Sequence, residues 1–532
     1  MKNKFWSLGF LLVLVISVLA ACGSDSSSTE TKSGDGESKE KEQVLVFGRG
    51  ADSVSLDAAA VTDGESIKVT QNIFETLLNF SEGDTTVQPG LAKEWTVSED
   101  GLTYTFTLEE GIKFHDDTDF NAEAVVKNFE RWSAGAEDEF YYYNSMFKAE
   151  GKNIIAKVEA PDEKTVVFTL ARPQAPFLKN IAMALFGIAS PTAFEAAGDK
   201  FGDNPVGTGP FKFVEWKRNN SITLEKNENY WKEGLPKLDK VIFRSIPDNS
   251  ARLNDLVSGA IDLADGINPS DGLQIENNAD LQLIERPSMN IGYLGLTVTR
   301  APFDNKLVRQ AVNHAIDKQA IVDAFYDGRA DVAINPMPSS ISGYNDEVKD
   351  YDYNPEKAKE LLAAAGYDGK EIELWAMPVP RPYMPDGAKV AEVIQKNLAD
   401  VGMKSKIVTY EWATYLEKAQ NGEADAFMLG WTGDNGDPDN FLYTLLDRDT
   451  IGSNNYSFYD NPEVHKLLID AQSEVDEAKR IDLYKQAQVI IKDDAPWVPL
   501  AHSTPLLGAS KSVTGYAPHP TGSESLENVS MQ

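Results

Sequence analysis

Gly90-Leu91-Ala92-Lys93-Glu94-Trp95, Ser98-Glu99-Asp100-Gly101 and Thr103-Tyr104-Thr105-Phe106-Thr107-Leu108 follow one another closely in the chain. The last six residues alternate polar and apolar, the pattern of a strand with one face buried. Asp100-Gly101 is a hairpin turn signal, because type I′ turns need positive φ at both central positions. Gly111-Ile112-Lys113-Phe114-His115-Asp116 continues the same meander. Upstream, Val44-Leu45-Val46-Phe47 is the pattern of a buried strand, and Asn72-Ile73-Phe74-Glu75-Thr76-Leu77-Leu78 is an apolar run with a helical look.

The chain has 532 residues, too many for one hydrophobic core, so two or three domains are expected. A formal net charge of -33 disfavours nucleic acid and anionic lipid surfaces as partners of the folded part, since both repel it. Residues 1–21 read as a leader: Lys2 and Lys4 precede an apolar stretch from Phe5 to Ala20 that is short for a stable membrane span. It ends Leu19-Ala20-Ala21-Cys22-Gly23, which resembles a bacterial lipobox and implies cleavage before Cys22 and lipidation of its sulfur. Cys22 is the single cysteine, so no intrachain disulfide is available. Residues 22–42 are polar and small, a composition that cannot bury enough surface to order itself and that suits a tether.

The run Leu91–Asp116 resembles the signature of the extracellular solute-binding proteins of family 5, which serve ABC importers of oligopeptides, dipeptides and nickel. Asn204-Pro205-Val206-Gly207-Thr208-Gly209-Pro210-Phe211, Asn229-Tyr230-Trp231, Pro302-Phe303-Asp304 with Val308-Arg309-Gln310-Ala311, and Asn354-Pro355-Glu356-Lys357-Ala358 agree with it. The resemblance implies an α/β, two-lobed periplasmic-binding-protein fold with an extra subdomain and a ligand cleft between the lobes. On that plan the first lobe takes 43–286 and 503–532, its extra subdomain about 86–204, and the second lobe 287–502. The strand-like runs Asn290–Leu294 and Val498–His502 mark the borders, and helical spacings such as Val390, Ala391, Ile394, Leu398 and Leu483, Ala487, Ile490 alternate with strands inside the second lobe.

Within the family, Trp375–Tyr383 and the loop Gly430–Phe441 resemble the dipeptide-binding members. The loop is rich in aspartate and glycine, follows the apolar run Ala426–Leu429, and fits no EF-hand register: from Asp434 the third position is Gly436, and from Asp437 the fifth is Phe441. A free peptide is a zwitterion, and enclosing it requires a cation for its carboxylate and an anion for its ammonium. Arginine meets a carboxylate with a planar fork, and Arg381 is held between Pro380 and Pro382. The resemblance implies Arg381 on the peptide carboxylate and Asp434 on its ammonium, with Tyr383, Trp431, Thr432 and Gly433 lining the site and Asp63 facing it from the first lobe. Asp437 and Asp439 are read instead as caps of a helix beginning near Phe441.

The implied partners are a dipeptide, the permease of an ABC importer, and the membrane through lipid on Cys22 at the outer face of the bacterial cytoplasmic membrane; no nucleic acid is expected, and the protein is expected to be a monomer. The alternatives are a haem-, nickel-chelate-, glutathione- or longer-oligopeptide-binding member. No catalytic residue is found: the five histidines fall in no HExxH, GxSxG or P-loop frame, and no Cys/His spacing suits zinc. Neither a cofactor nor a metal is expected.

Overall fold

The computed structural model describes residues 42–532 apart from 137, 138, 150 and 523; the leader, Cys22 and the tether up to residue 41 lie outside the described residues. Val44–Arg49 forms the middle of a seven-stranded sheet. It pairs in parallel with Lys240–Ser245, Val44 opposite Lys240, and with Leu263–Ile267, Phe47 opposite Leu263. Leu506–Ser510, from near the end of the chain, lies antiparallel between Leu263–Ile267 and Leu281–Glu285. A second sheet of six strands is centred on Asn290–Leu296, which pairs antiparallel with Ala426–Thr432 on one side and Trp497–Ser503 on the other. Every residue of Asn290–Leu296 is buried, as expected of a strand covered on both faces. Helices Gly387–Asp400 and Glu477–Asp494 pack in the same half of the chain; the buried stripe of the latter is Tyr484, Ala487, Gln488 and Ile491, so Leu483 and Ile490 lie at its margin.

The meander is present. Ala92–Val97 and Thr103–Leu108 pair antiparallel in a four-stranded sheet with Thr165–Leu170 and Ile155–Asp162. Tyr104, Phe106 and Leu108 point into the core and the threonines between them do not. At the turn Gly101 has φ +67°, and the Asp100 carboxylate accepts from the Leu102 amide at 3.0 Å.

The run 72–78 differs from the helix expected of it. The helix is Gly64–Thr70, and a turn follows before the short strand Leu78–Phe80. The cause is that neighbouring segments take the backbone carbonyls a helix would use. Gly209 donates to Ile73 at 2.9 Å, Phe211 to Asn72 at 3.1 Å, Ile188 to Glu75 at 2.9 Å and Ala92 to Leu77 at 2.9 Å. Gly207 and Gly209 make this possible: a Cβ on Gly209 would lie 2.7 Å from the Ile73 carbonyl carbon, and one on Gly207 2.2 Å from its oxygen.

The chain leaves the first sheet through residues 286–289 and returns through 504–505. At the first crossing Arg286 is buried between Asp265, at 3.1 Å, and Glu524, at 2.6 Å, and Lys68 reaches the other Asp265 oxygen at 2.6 Å. Despite burial, Arg286 and Lys68 hold Asp265 well below the usual carboxylate range. At the same border the Asn290 amide donates to the Ser503 carbonyl at 2.8 Å and accepts from the Ser503 amide at 3.0 Å. Removing one member of a buried ion cluster leaves its partners uncompensated. Arg286→Met is therefore expected to lower stability by about 3–5 kcal/mol, read as a lower urea midpoint; an unchanged midpoint would show that the cluster adds nothing to the fold.

Candidate functional site

The strand Ala426–Thr432 carries the Asp/Gly loop out of the second sheet. Its Thr432 stands opposite Asn290, and the Gly433 amide donates to the Met289 carbonyl at 2.8 Å. Gly433 lies against Phe441, where a Cβ would approach the ring to 2.8 Å. Asn440 then organises the loop. Its carbonyl oxygen accepts from the Trp431 indole at 3.1 Å and from the Asp434 amide at 2.9 Å, and its NH2 donates to the Asp434 carboxylate at 3.0 Å. The other Asp434 oxygen accepts from the Tyr142 hydroxyl at 3.3 Å. Among the described residues no cation pairs with Asp434. Burial pushes its carboxyl up to about 6, and the bonds from Asn440 and Tyr142 oppose that rise without cancelling it.

Arg381 lies between the strand Ile372–Trp375 and the helix Gly387–Asp400. Reciprocal backbone bonds with Met384, at 3.1 and 2.9 Å, close a tight turn. The guanidinium is exposed; it donates to the Pro380 carbonyl at 3.3 Å and stands 5.8 Å from the Trp412 ring centre. Among the described residues no carboxylate pairs with it. Tyr383, two residues on, is buried and ties this turn to the loop strand. Its ring lies over Gly430, where a Cβ would approach to 2.2 Å, and its carbonyl lies over Gly292, also at 2.2 Å. Only glycine permits that approach at both positions, so the Arg381 turn and the Asp434 strand are docked on each other.

Asp63 is placed differently. It is the N-cap of Gly64–Thr70, and its two oxygens accept from the Ser66 amide at 2.9 Å and the Ser66 hydroxyl at 2.7 Å. Gly64 and Ile67 of that helix, and Gln71 just past its end, line a cavity of about 210 Å³ that also reaches Asp434. Neither Arg381, Tyr383 nor Asp63 lines it. The helix after the loop begins at Asp439 and its cap position is Pro438, so neither Asp437 nor Asp439 is the cap expected of it: Asp439 is the first helical residue, and Asp437, one residue before the cap, accepts from the Asp439 amide at 3.0 Å. Asp437 also holds Arg480 through both oxygens, at 2.5 and 2.9 Å, while Asp439 is bonded to Gln472 at 3.0 Å. Asp447, Asp449 and His465 bring possible metal ligands together, yet the His465 Nδ1 is already 3.0 Å from Asp447.

Sequence reasoning missed Asn440 and Tyr142. Asn440 stood in the quoted loop and lacked only a distance; Tyr142 is 292 residues from Asp434 and carried no signal.

A glycine-lined loop and a stiff turn that present opposite charges, with a cavity that joins Asp434 to residues of 64–82 and 515–528, suit a ligand-binding protein of the two-lobed periplasmic type. The model of the bacterial extracellular solute-binding proteins, family 5, matches residues 86–453. The chain is 41% identical to a dipeptide-binding protein of Escherichia coli, over 86% of this chain and 89% of that one, and 38% identical to heme-binding protein A of Haemophilus influenzae, over 97% of each. It also superposes on an ABC transporter-associated periplasmic binding protein of Helicobacter pylori in complex with the peptide STSA, with TM-score 0.82, 38% identity, and 92% and 98% of the two chains covered. The chain belongs to the family 5 extracellular solute-binding proteins, and its fold is theirs. Among the described residues no helix is long and apolar enough to cross a membrane.

A carboxyl raised in the fold favours the protonated form, so its contribution to stability is present below the unfolded value near 4 and is lost as pH rises through about 6. In ligand-free protein, wild type is therefore expected to lose about 1–3 kcal/mol relative to Asp434→Asn between pH 4 and pH 7. Parallel unfolding curves for the two proteins at pH 4 and 7 test this, and a constant difference would refute the raised value.

Proposed function

We propose that this chain is an extracytoplasmic lipoprotein that captures dipeptides and delivers them to an ABC importer. The observation that carries the reading is the pair of opposite charges without ion-pair partners among the described residues, Arg381 and Asp434, on two segments locked together by Tyr383 over Gly430. A zwitterion completes both: Arg381 takes the carboxylate and Asp434 the ammonium, with Tyr383, Trp431, Thr432 and Gly433 around them. Asp63 acts through the helix it caps. In this reading the lobes are 43–286 with 503–532 and 287–502, and the protein works as a monomer. The likeness to a haem-binding protein gives haem a place as the competing ligand. A Soret band on titration with haemin, absent with dipeptide, would favour it.

Calorimetry with Ala-Ala, its N-acetyl and amide forms, and Ala-Ala-Ala tests the reading. Free Ala-Ala is expected to bind and its N-acetyl form to lose about 2–5 kcal/mol, the cost of leaving the Asp434 charge unpaired; the amide and Ala-Ala-Ala, which change the end that faces the exposed Arg381, are expected to bind more weakly than Ala-Ala by a smaller margin. Equal affinity for free and blocked dipeptides, or wild-type binding by Arg381→Ala and Asp434→Ala, would defeat it. Anchoring is separate. Cys22→Ser is expected to release the protein to the medium or to leave the leader uncleaved, and normal processing with unchanged membrane retention would rule lipidation out.

A further inference from the structure

The first sheet and the four-stranded sheet are built from residues up to 285 and from 506 on, and the second sheet from 290–503. Only the crossings at 286–289 and 504–505 join these two parts covalently. Away from the crossings, the segment that follows the strand Thr165–Leu170 reaches over to the second part. The Arg172 Nη2 donates to the Gln472 Oε1 at 3.1 Å, and the Ala175 amide donates to the Gln472 carbonyl at 2.7 Å. In the short helix Phe177–Ile181, Lys179 donates to the Gly436 carbonyl at 2.8 Å, and the Asn180 Oδ1 accepts from the Asn435 NH2 at 2.7 Å. Gly436 lets the two parts meet here, because a Cβ on it would stand 1.8 Å from the hydroxyl of Thr85.

These bonds are independent of the ligand chemistry. None of the residues that make them lines the cavity that reaches Asp434. The space left between Arg172, Asn180 and Gln472 is about 20 Å³, room for about one water and for no ligand. The bonds also need little ordering. On the second part the Asn435 Oδ1 accepts from the Asp437 amide at 3.0 Å, and the Gln472 Nε2 donates to both Asp439 oxygens, at 3.0 and 3.1 Å. Neighbours on the same part therefore fix both side chains before the parts meet, and closing them freezes few further rotamers. Asn180, Asn435 and Gln472 are all buried where the parts touch. A hydrogen bond between groups already in place is a net gain.

We propose that residues 172–180 are a latch that closes the protein on itself, so that the two parts are held together in solution before a ligand binds and a ligand enters while the latch is open. A protein closed in advance offers its open form only part of the time, and the latch thereby sets how readily a ligand gets in. The loop it grips is the one that carries Asp434, but the latch works whichever ligand the site takes, so it does not rest on the dipeptide reading.

Small-angle scattering of the full chain without ligand tests it. Wild type is expected to be compact. The variant Arg172→Met/Lys179→Met/Asn180→Leu, which removes the three side-chain bonds of the latch, is expected to have a larger radius of gyration. Arg172→Met with Lys179→Met, at two half-buried side chains, takes its place if circular dichroism shows that the triple variant does not fold. Equal radii for wild type and variant would overturn the latch, and so would a wild-type radius that falls when Ala-Ala is added. Failure of Ala-Ala to bind would count against the dipeptide reading alone, because the comparison without ligand still decides the latch.

Discussion

Arg286 is the point from which the first-sheet wall of the cavity is held. It cannot stand buried without its two carboxylates, and each carboxylate belongs to a different part of the wall. Asp265 lies in the middle of Leu263–Ile267, the strand next to the central one, and takes Lys68 from the helix Gly64–Thr70, so that helix is pinned to the sheet. Glu524 lies in the return of the chain after Leu506–Ser510. Its backbone carbonyl accepts from the Asn72 side-chain NH2 at 3.3 Å, and the Asn72 Oδ1 accepts from the Leu526 amide at 2.8 Å. The extended run after the helix is fixed by the same cluster. Helix, run and return are three walls of one cavity, and a single guanidinium joins them where the chain leaves for the second sheet.

The Asp/Gly loop solves the opposite problem, how to keep an unpaired carboxylate still. Asn440 binds Asp434 twice. Beyond it, Asn435 donates to Asn180 at 2.7 Å and Lys179 donates to the Gly436 carbonyl at 2.8 Å. Gly436 sits at φ +63°, and a Cβ there would fall 1.8 Å from the Thr85 hydroxyl. The two remaining aspartates are separated by environment: Arg480 draws Asp437 down, while burial, helped by Asp437, pushes Asp439 up to about 7. Asp434 and Asp439 have no ion-pair partner among the described residues, and of these two Asp434 is the less raised by burial. Order of this kind, established before a ligand arrives, lowers the entropy a ligand must overcome on binding.

Much of this was legible in the residues. The alternation at Thr103–Leu108 and the Asp100-Gly101 turn read directly as structure, because a period of two and a positive φ are local facts. The glycines of 204–211 marked a family, but their purpose, closeness to Ile73, is a contact across more than a hundred residues and leaves no local trace. The same non-locality defeated the helix expected at 72–78: its composition suits a helix, and only the neighbours that claim its carbonyls decide otherwise. In the proposed site, Arg381 and Asp434 could be named from chemistry and resemblance, whereas Tyr142 and the cap role of Asp63 depend on which oxygens are already occupied.

The two proposed anchors are unequally held, and that sets how the site would treat its ligands. Asp434 has a short side chain bonded by Asn440 and Tyr142, so the position of an ammonium against it is fixed within a hydrogen-bond length. Arg381 has a long side chain, exposed, held by one carbonyl at 3.3 Å, by the Tyr383 hydroxyl and by a distant indole. Its turn is rigid because Tyr383 locks it, but its guanidinium can swing. The ammonium end is then the datum of the site and the carboxylate end its adjustable side, and a change at the ligand's first residue would be felt more than one at its last. Proteins of one family that share a fixed anionic anchor can in this way differ in the length of peptide they accept through the arginine side alone, with no change in the sheets that carry it.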